Sequence, residues 1–138
     1  MLCILSLHAQ ETTVTQKAGT HRNFNHLPEK FKANRDQLKD LFQSEKHKEV
    51  QFDLHNGIPV KGFIQEKVVE PNGTIRINVI SSAYPQTIFN FSAIAVPGKS
   101  YIYRSRIINH SSGEVLVLEE NDNQYFYQKS KRNKLIAE

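Results

Sequence analysis

The sequence contains no tryptophan, a single cysteine and a single methionine, and nowhere a long apolar run. One thiol, Cys3, excludes an internal disulfide and a cysteine-based zinc centre, both of which need cysteines in sets. No segment approaches the roughly 18 apolar residues of a membrane-crossing helix, so no stable helical span is expected. The six glycines stand apart from one another, which leaves no glycine-rich loop to cradle a phosphate. Charge of either sign is modest. Lys and Arg outnumber Asp and Glu by 18 to 14, and the excess is scattered, whereas a nucleic-acid protein gathers it into a stripe. The one local concentration, Lys129, Lys131, Arg132 and Lys134, reads as a solvated turn beside the last strand. Tyr125, Phe126 and Tyr127 nearby alternate along a strand and need not form a stacking platform. Nucleic acid is not an expected partner.

What is there suits one domain. A chain of 138 residues, 38% apolar and 23% charged, can bury its own core without a disulfide or a metal. The opening MLCILSLHAQE matches the apolar part of an export signal, with Ala9 and Gln10 flanking the expected cut. The basic leader is missing and Leu7 occupies a place where a small residue is preferred, so the expected translation start lies upstream of Met1. Cleavage there removes Cys3 and leaves no thiol. The competing reading is a short buried strand at the start of the domain. The polar, aperiodic ETTVTQKAGTHRNFNH that follows reads as a loose segment. The expected division is a truncated signal peptide over 1–9, a flexible segment over 10–26 and a single α+β domain over 27–138.

Within that domain, Phe31, Leu38, Leu41 and Phe42 fall near one side at helical spacing, Pro28 suits a first helical turn and Glu29 faces the positive end of the dipole. One amphipathic helix from about Pro28 to Ser44 is predicted. From Glu49 the period shortens to two, with turn residues at regular intervals. Val50, Phe52 and Leu54 share a face; Gly62 marks a bulge or a close backbone approach; Pro71-Asn72-Gly73 is a hairpin turn, followed by Ile75, Ile77 and Val79 on one side. About seven strands joined by tight turns imply sequential antiparallel pairing. The predicted fold is a helix followed by a curled antiparallel meander, a half-barrel or a barrel.

Chemistry has few anchors. His8 lies in the expected signal, His21 and His26 bracket RNFN in one irregular segment, His47 follows the helix and His55 and His110 lie in turns of separate hairpins; with no HExxH pair and no Cys/His cluster, no metal is expected. Ser111 and Ser112 beside His110 sit in a turn where neighbours seldom face each other, and no G-x-S-x-G elbow exists. Glu119 and Glu120 alternate to opposite faces of a strand. No catalytic residue and no cofactor is assigned. Asn72, Asn90 and Asn109 open N-x-S/T sequons, read as incidental, and Asn72 and Asn109 are good turn residues. The pairs Tyr101/Tyr103 and Tyr125/Tyr127, each two residues apart, could with Phe89 and Phe91 line a surface for a ligand, or be ordinary cross-strand partners.

Two stretches carry a resemblance. LHAQE resembles signal-peptide ends common in the Bacteroidetes. The stretch from Gly98 to Glu138 has a glycine before an aromatic and arginine-bearing strand, a polar turn, an apolar strand, a second turn, an aromatic strand and a closing apolar pair. It resembles a segment near the N-terminus of large secreted bacterial proteins, some with zinc-metallopeptidase domains downstream. The resemblance implies an exported N-terminal or pro-region, with no catalytic residues to transfer. The expectation is a non-catalytic binding or pro-region-like domain, secreted, periplasmic or on the outer surface of a bacterium. Its partner would be a downstream or separate secreted enzyme, met through an exposed β-edge. The alternative is a small carrier of an apolar ligand.

Overall fold

From Glu49 onward, the alternation of apolar and polar residues and the spacing of turns set seven strands, each pairing with the next. The computed structural model describes residues 20–131. In chain order the elements are β1 (Lys30–Lys32), α1 (Arg35–Leu41), β2 (Glu49–Asp53), β3 (Pro59–Val69), β4 (Ile75–Ile80), β5 (Thr87–Ile94), β6 (Ile102–Asn109), β7 (Glu114–Asn121) and β8 (Gln124–Lys131). The sheet order is β1-β8-β7-β6-β5-β4-β3-β2, every neighbour antiparallel. This is an eight-stranded half-barrel with one short helix, and β1 and β2 are its two edges.

The helix predicted over Pro28 to Ser44 does not form at that length. Phe31 is buried while Lys30 and Lys32 are exposed, a period of two, and Phe31 pairs with Tyr127 of β8. A strand of three residues outcompetes the first helical turns because it extends a ladder that already exists. The helix starts instead at Asn34, which is extended and whose Oδ1 accepts from Gln37 N at 3.2 Å. That is the capping chemistry expected of asparagine.

All inward side chains meet in one core. Phe52 of β2 stands edge-on to Phe89 and Phe91 of β5, with centroids 5.5 and 5.7 Å apart, the arrangement the ring quadrupole favours. Leu38, Leu41 and Phe42 cover the open inner face, and Phe42 stacks on Tyr103 at 5.7 Å. Lys67 Nζ donates to the carbonyls of Phe42 (3.1 Å) and Ser44 (2.8 Å), tying the end of the helical segment to β3.

The turns follow their residues. At Pro71-Asn72-Gly73, Gly73 has φ of +93° and Asn72 Oδ1 accepts from Thr74 N at 2.9 Å. The two-residue link Asp122-Asn123 between β7 and β8 has φ of +52° and +64°, both central residues left-handed as in a type I′ hairpin. Gly62 is a close approach; the register break lies further on, between Ile64 and Glu66. The cut expected between Ala9 and Gln10 and the closing apolar pair near Glu138 lie outside the described residues.

A Cβ built on Gly62 would stand 2.5 Å from Val79 Cγ1 and 3.1 Å from the Ile80 carbonyl oxygen. Gly62→Ala should therefore cost about 1–3 kcal/mol of overpacking, read as a fall in the urea midpoint. In a Val79→Ala background the same substitution should cost distinctly less. Equal losses in both backgrounds would show that this contact does not set the constraint.

Candidate functional site

The sheet's inner face offers little room. Phe89, Phe91, Tyr103, Tyr125 and Tyr127 are all buried in the core, and the gap left between α1, Phe52, Phe91 and Tyr127 is only about 10 Å³. Their polar atoms are used internally. β6 and β7 are in register over three pairs, from Arg106 with Val117 to Ile108 with Val115. Beyond them, Tyr125 Oη accepts from Tyr103 N at 3.1 Å and Tyr127 Oη donates to Ser105 Oγ at 3.3 Å. The two hydroxyls supply bonds to β6 that β7 does not. Burial raises the Tyr127 pKa far above the ordinary phenol range. Tyr101 is separate: it precedes β6, is exposed, and donates from Oη to the Gly73 carbonyl at 3.2 Å.

Sequence reasoning missed a second cluster. Residues 20–27 cross one end of the half-barrel and are anchored there. His21 N donates to Ala83 O at 2.7 Å, Phe24 N to Glu114 Oε1 at 3.2 Å, and Asn109 Nδ2 to Arg22 O at 2.8 Å. Phe24 is fully buried and packs near Tyr84. Asn109, read as a turn residue, is one: its Oδ1 accepts from Ser111 N and Ser112 N, both at 2.9 Å. The rings of His21 and His26 stack at 4.0 Å, and His26 Nε2 lies 2.9 Å from Tyr84 Oη. Burial pushes Tyr84 up to about 12, so it keeps its proton. Partial burial, then His21, Lys129 and His55, lower the His26 pKa, with Glu114 opposing. Among the described residues no group of three or more His, Cys, Asp or Glu is placed to hold a metal.

The outer face has a different character. Antiparallel register carries one row of side chains from Phe63 (β3) through Ile80 (β4), Ile88 (β5) and Ile108 (β6) to Val115 (β7). Phe63 and Ile80 are 38% and 37% exposed, and beside them Glu49, Lys61, Ser81 and Ser82 complete an open groove of about 540 Å³. The row is covered unevenly: Val115 is fully buried and Ile88 and Ile108 half-buried, while Phe63, stacked on His47 at 5.9 Å, and Ile80 reach solvent. The β3 edge lies beside this surface, with Val68 on the outer face opposite Arg76 and Val69 on the other face opposite Ile75. β2 pairs with Pro59–Phe63, so Gln65–Val69 have a strand on the β4 side only, and Val68 and Val69 are 47% and 62% exposed. Sequence reasoning pointed to an exposed edge without locating it; the excess length of β3 over β2 was the available signal.

Comparison of the chain with protein-family models, with curated proteins and with solved structures finds no match.

Two expectations follow from the inner face and the anchored segment. Tyr125→Phe should leave the buried Tyr103 N–H without a partner and cost about 1–3 kcal/mol, seen as a lower thermal midpoint, while Tyr101→Phe at the surface should cost distinctly less. For His26, the lowered pKa means that the unfolded chain binds the proton more readily. Its contribution is therefore full above the ordinary imidazole value of 6.5 and is lost as pH falls through the lowered value. The ring remains largely solvated, so the effect is small and local. The protection factor at Phe24 N–H, that is exchange corrected for its intrinsic pH dependence, should fall as pH drops through that window in the wild type and stay constant in His26→Gln.

Proposed function

We propose that this chain is an exported, non-catalytic domain that works by contact with another protein, as a pro-region or companion of a secreted enzyme. The observation that carries the reading is the outer face: an apolar row from Phe63 to Ile108 runs toward β3, whose last residues, Gln65–Val69, have a strand on one side only, with the side chains of Glu66 and Lys67 tied to the segment after the helix. Unpaired backbone groups beside exposed Val68 and Val69 can accept a strand from a partner, with side-chain specificity supplied by the adjoining groove. The carrier alternative needs an interior volume that Phe52, Phe91, Leu38 and Leu41 largely fill. Ligand sites for drug-sized molecules occupy roughly 300–1,000 Å³. Export is supported by the apolar opening with Ala9 and Gln10 at its end and by a thiol-free remainder.

The test is co-purification of the full chain with secreted enzymes encoded beside its gene, using Phe63→Lys and Val69→Lys as contact variants. Binding should be seen with the wild type and weaken at least about tenfold in each variant, with unchanged far-UV circular dichroism. Recovery of a stoichiometric apolar small molecule from the purified protein, together with indifference to both variants, would overturn the reading in favour of a carrier.

A further inference from the structure

Beside the apolar row, the outer face carries a second feature that neither packing nor the edge explains. Register places Arg76 (β4), Ser92 (β5) and Arg104 (β6) in one cross-strand row. Asn78, Asn90 and Arg106 follow in the next, which continues through Val117 and Gln128 to Lys30. All three arginines are exposed. Between them runs a shallow groove of about 440 Å³ lined by Arg76, Asn90, Ser92, Arg104 and Arg106 with Ile108. Arg76 is fixed, with Nε 3.0 Å from Glu70 Oε2 and Nη1 donating to Ser92 Oγ at 3.2 Å. Arg104 and Arg106 have no carboxylate oxygen within 4.0 Å among the described residues. Glu119, on β7, is the nearest acidic residue by strand order. Asn90 Nδ2 donates to Asn78 Oδ1 at 2.7 Å, linking the two cross-strand amides.

No two of the arginines are direct cross-strand partners, and Arg76 is held by Glu70 and Ser92, which leaves Arg104 and Arg106 as two exposed guanidinium groups on one strand able to take an external anion. Arg104 and Arg106 lie two residues apart on one strand, hence about 6.6–6.8 Å apart along it. An extended peptide presents alternate side chains at the same repeat. Guanidinium groups take carboxylates in a two-pronged fashion, which turns matched spacing into specificity. We infer that this face binds an extended acidic segment of a partner protein, with Asp or Glu at alternate positions lying along β6. The inference rests on the contact reading and names the chemistry of the partner.

The experiment uses the purified chain and two synthetic peptides of one composition, glutamate alternating with threonine or glutamate gathered in a block, followed by NMR titration. The alternating peptide should bind more tightly, shift β6 amides and the Arg104 and Arg106 Nε–H signals, and weaken with salt. Arg104→Gln with Arg106→Gln should reduce its affinity roughly tenfold without lowering the thermal midpoint. Lysine at both positions should restore attraction to both peptides but not the preference between them. Phe63→Lys and Val69→Lys should leave the peptide affinity within about twofold, so loss of the enzyme contact and loss of this site are told apart. Equal affinity for the two peptides, tighter binding of duplex DNA or of a uronate polymer, or indifference to the arginine variants would each overturn the inference.

Discussion

A single curved sheet has one apolar face and no second sheet to close it, and the remaining elements are arranged by that need. Seven strands in meander order can be laid down by local turns, but their concave side exposes Phe52, Phe89, Phe91, Ile107 and Leu116 until something covers it. Three short pieces do so. The helix brings Leu38, Leu41 and Phe42 across the opening, β1 lays Phe31 against Tyr127, and the segment from residue 20 inserts Phe24 at one end. Each is too short to be stable alone. Their order is therefore a consequence of the sheet, and the ends of the half-barrel are where its cooperativity is weakest.

The same need explains the tyrosines. Where β6 and β7 leave register, backbone N–H groups on β6 would be buried without partners, which costs more than a hydrogen bond returns. Phenylalanine would fill the volume but not the valence. Tyr125 does both, its ring in the core and its hydroxyl accepting from Tyr103 N, while Tyr127 satisfies its own buried hydroxyl by donating to the side chain of Ser105. Aromatic residues two apart on a strand can suggest a binding surface; here five of the six named aromatics are buried side chains, and only Tyr101 meets solvent.

Much of this was legible in the sequence because strand alternation and turn chemistry are local. The Pro71-Asn72-Gly73 hairpin, the meander order, the split of Phe89 and Phe91 from Asn90, and the close approach at Gly62 follow from residues within a few positions of one another. What escaped depended on distant partners. Lys30–Lys32 is a strand only because β8 lies beside it, and helical spacing of Phe31, Leu38, Leu41 and Phe42 is compatible with two quite different backbones. Asn34 followed by Gln37 was a capping signal that the earlier Pro28 obscured, and Gln37 spends its side chain on Asp53 instead, accepting from its backbone N–H at 2.8 Å. Phe24 sits in a stretch with no period at all, so nothing local marks its burial. The outer apolar row was illegible for a related reason: Phe63, Ile80, Ile88 and Ile108 are far apart in sequence and become a row only through register.

That row also bears on where function can lie in such a fold. The inner face is committed to packing, and every aromatic there has a structural partner, so change on that side is felt by the whole core. Side chains on the outer face carry no such duty over β4, β5 and β6, and a polar surface would serve solubility better than Phe63 and Ile80 do. An apolar row costs solubility, an arginine cluster costs electrostatic repulsion, and an unpaired edge invites unwanted pairing. Two of these features lie on the outer face and the third along the neighbouring edge, and on them the proposed contact rests. In the proposed contact the edge would supply backbone bonds, the apolar row area and the arginines orientation, a division of labour that fits an extended partner better than a compact one.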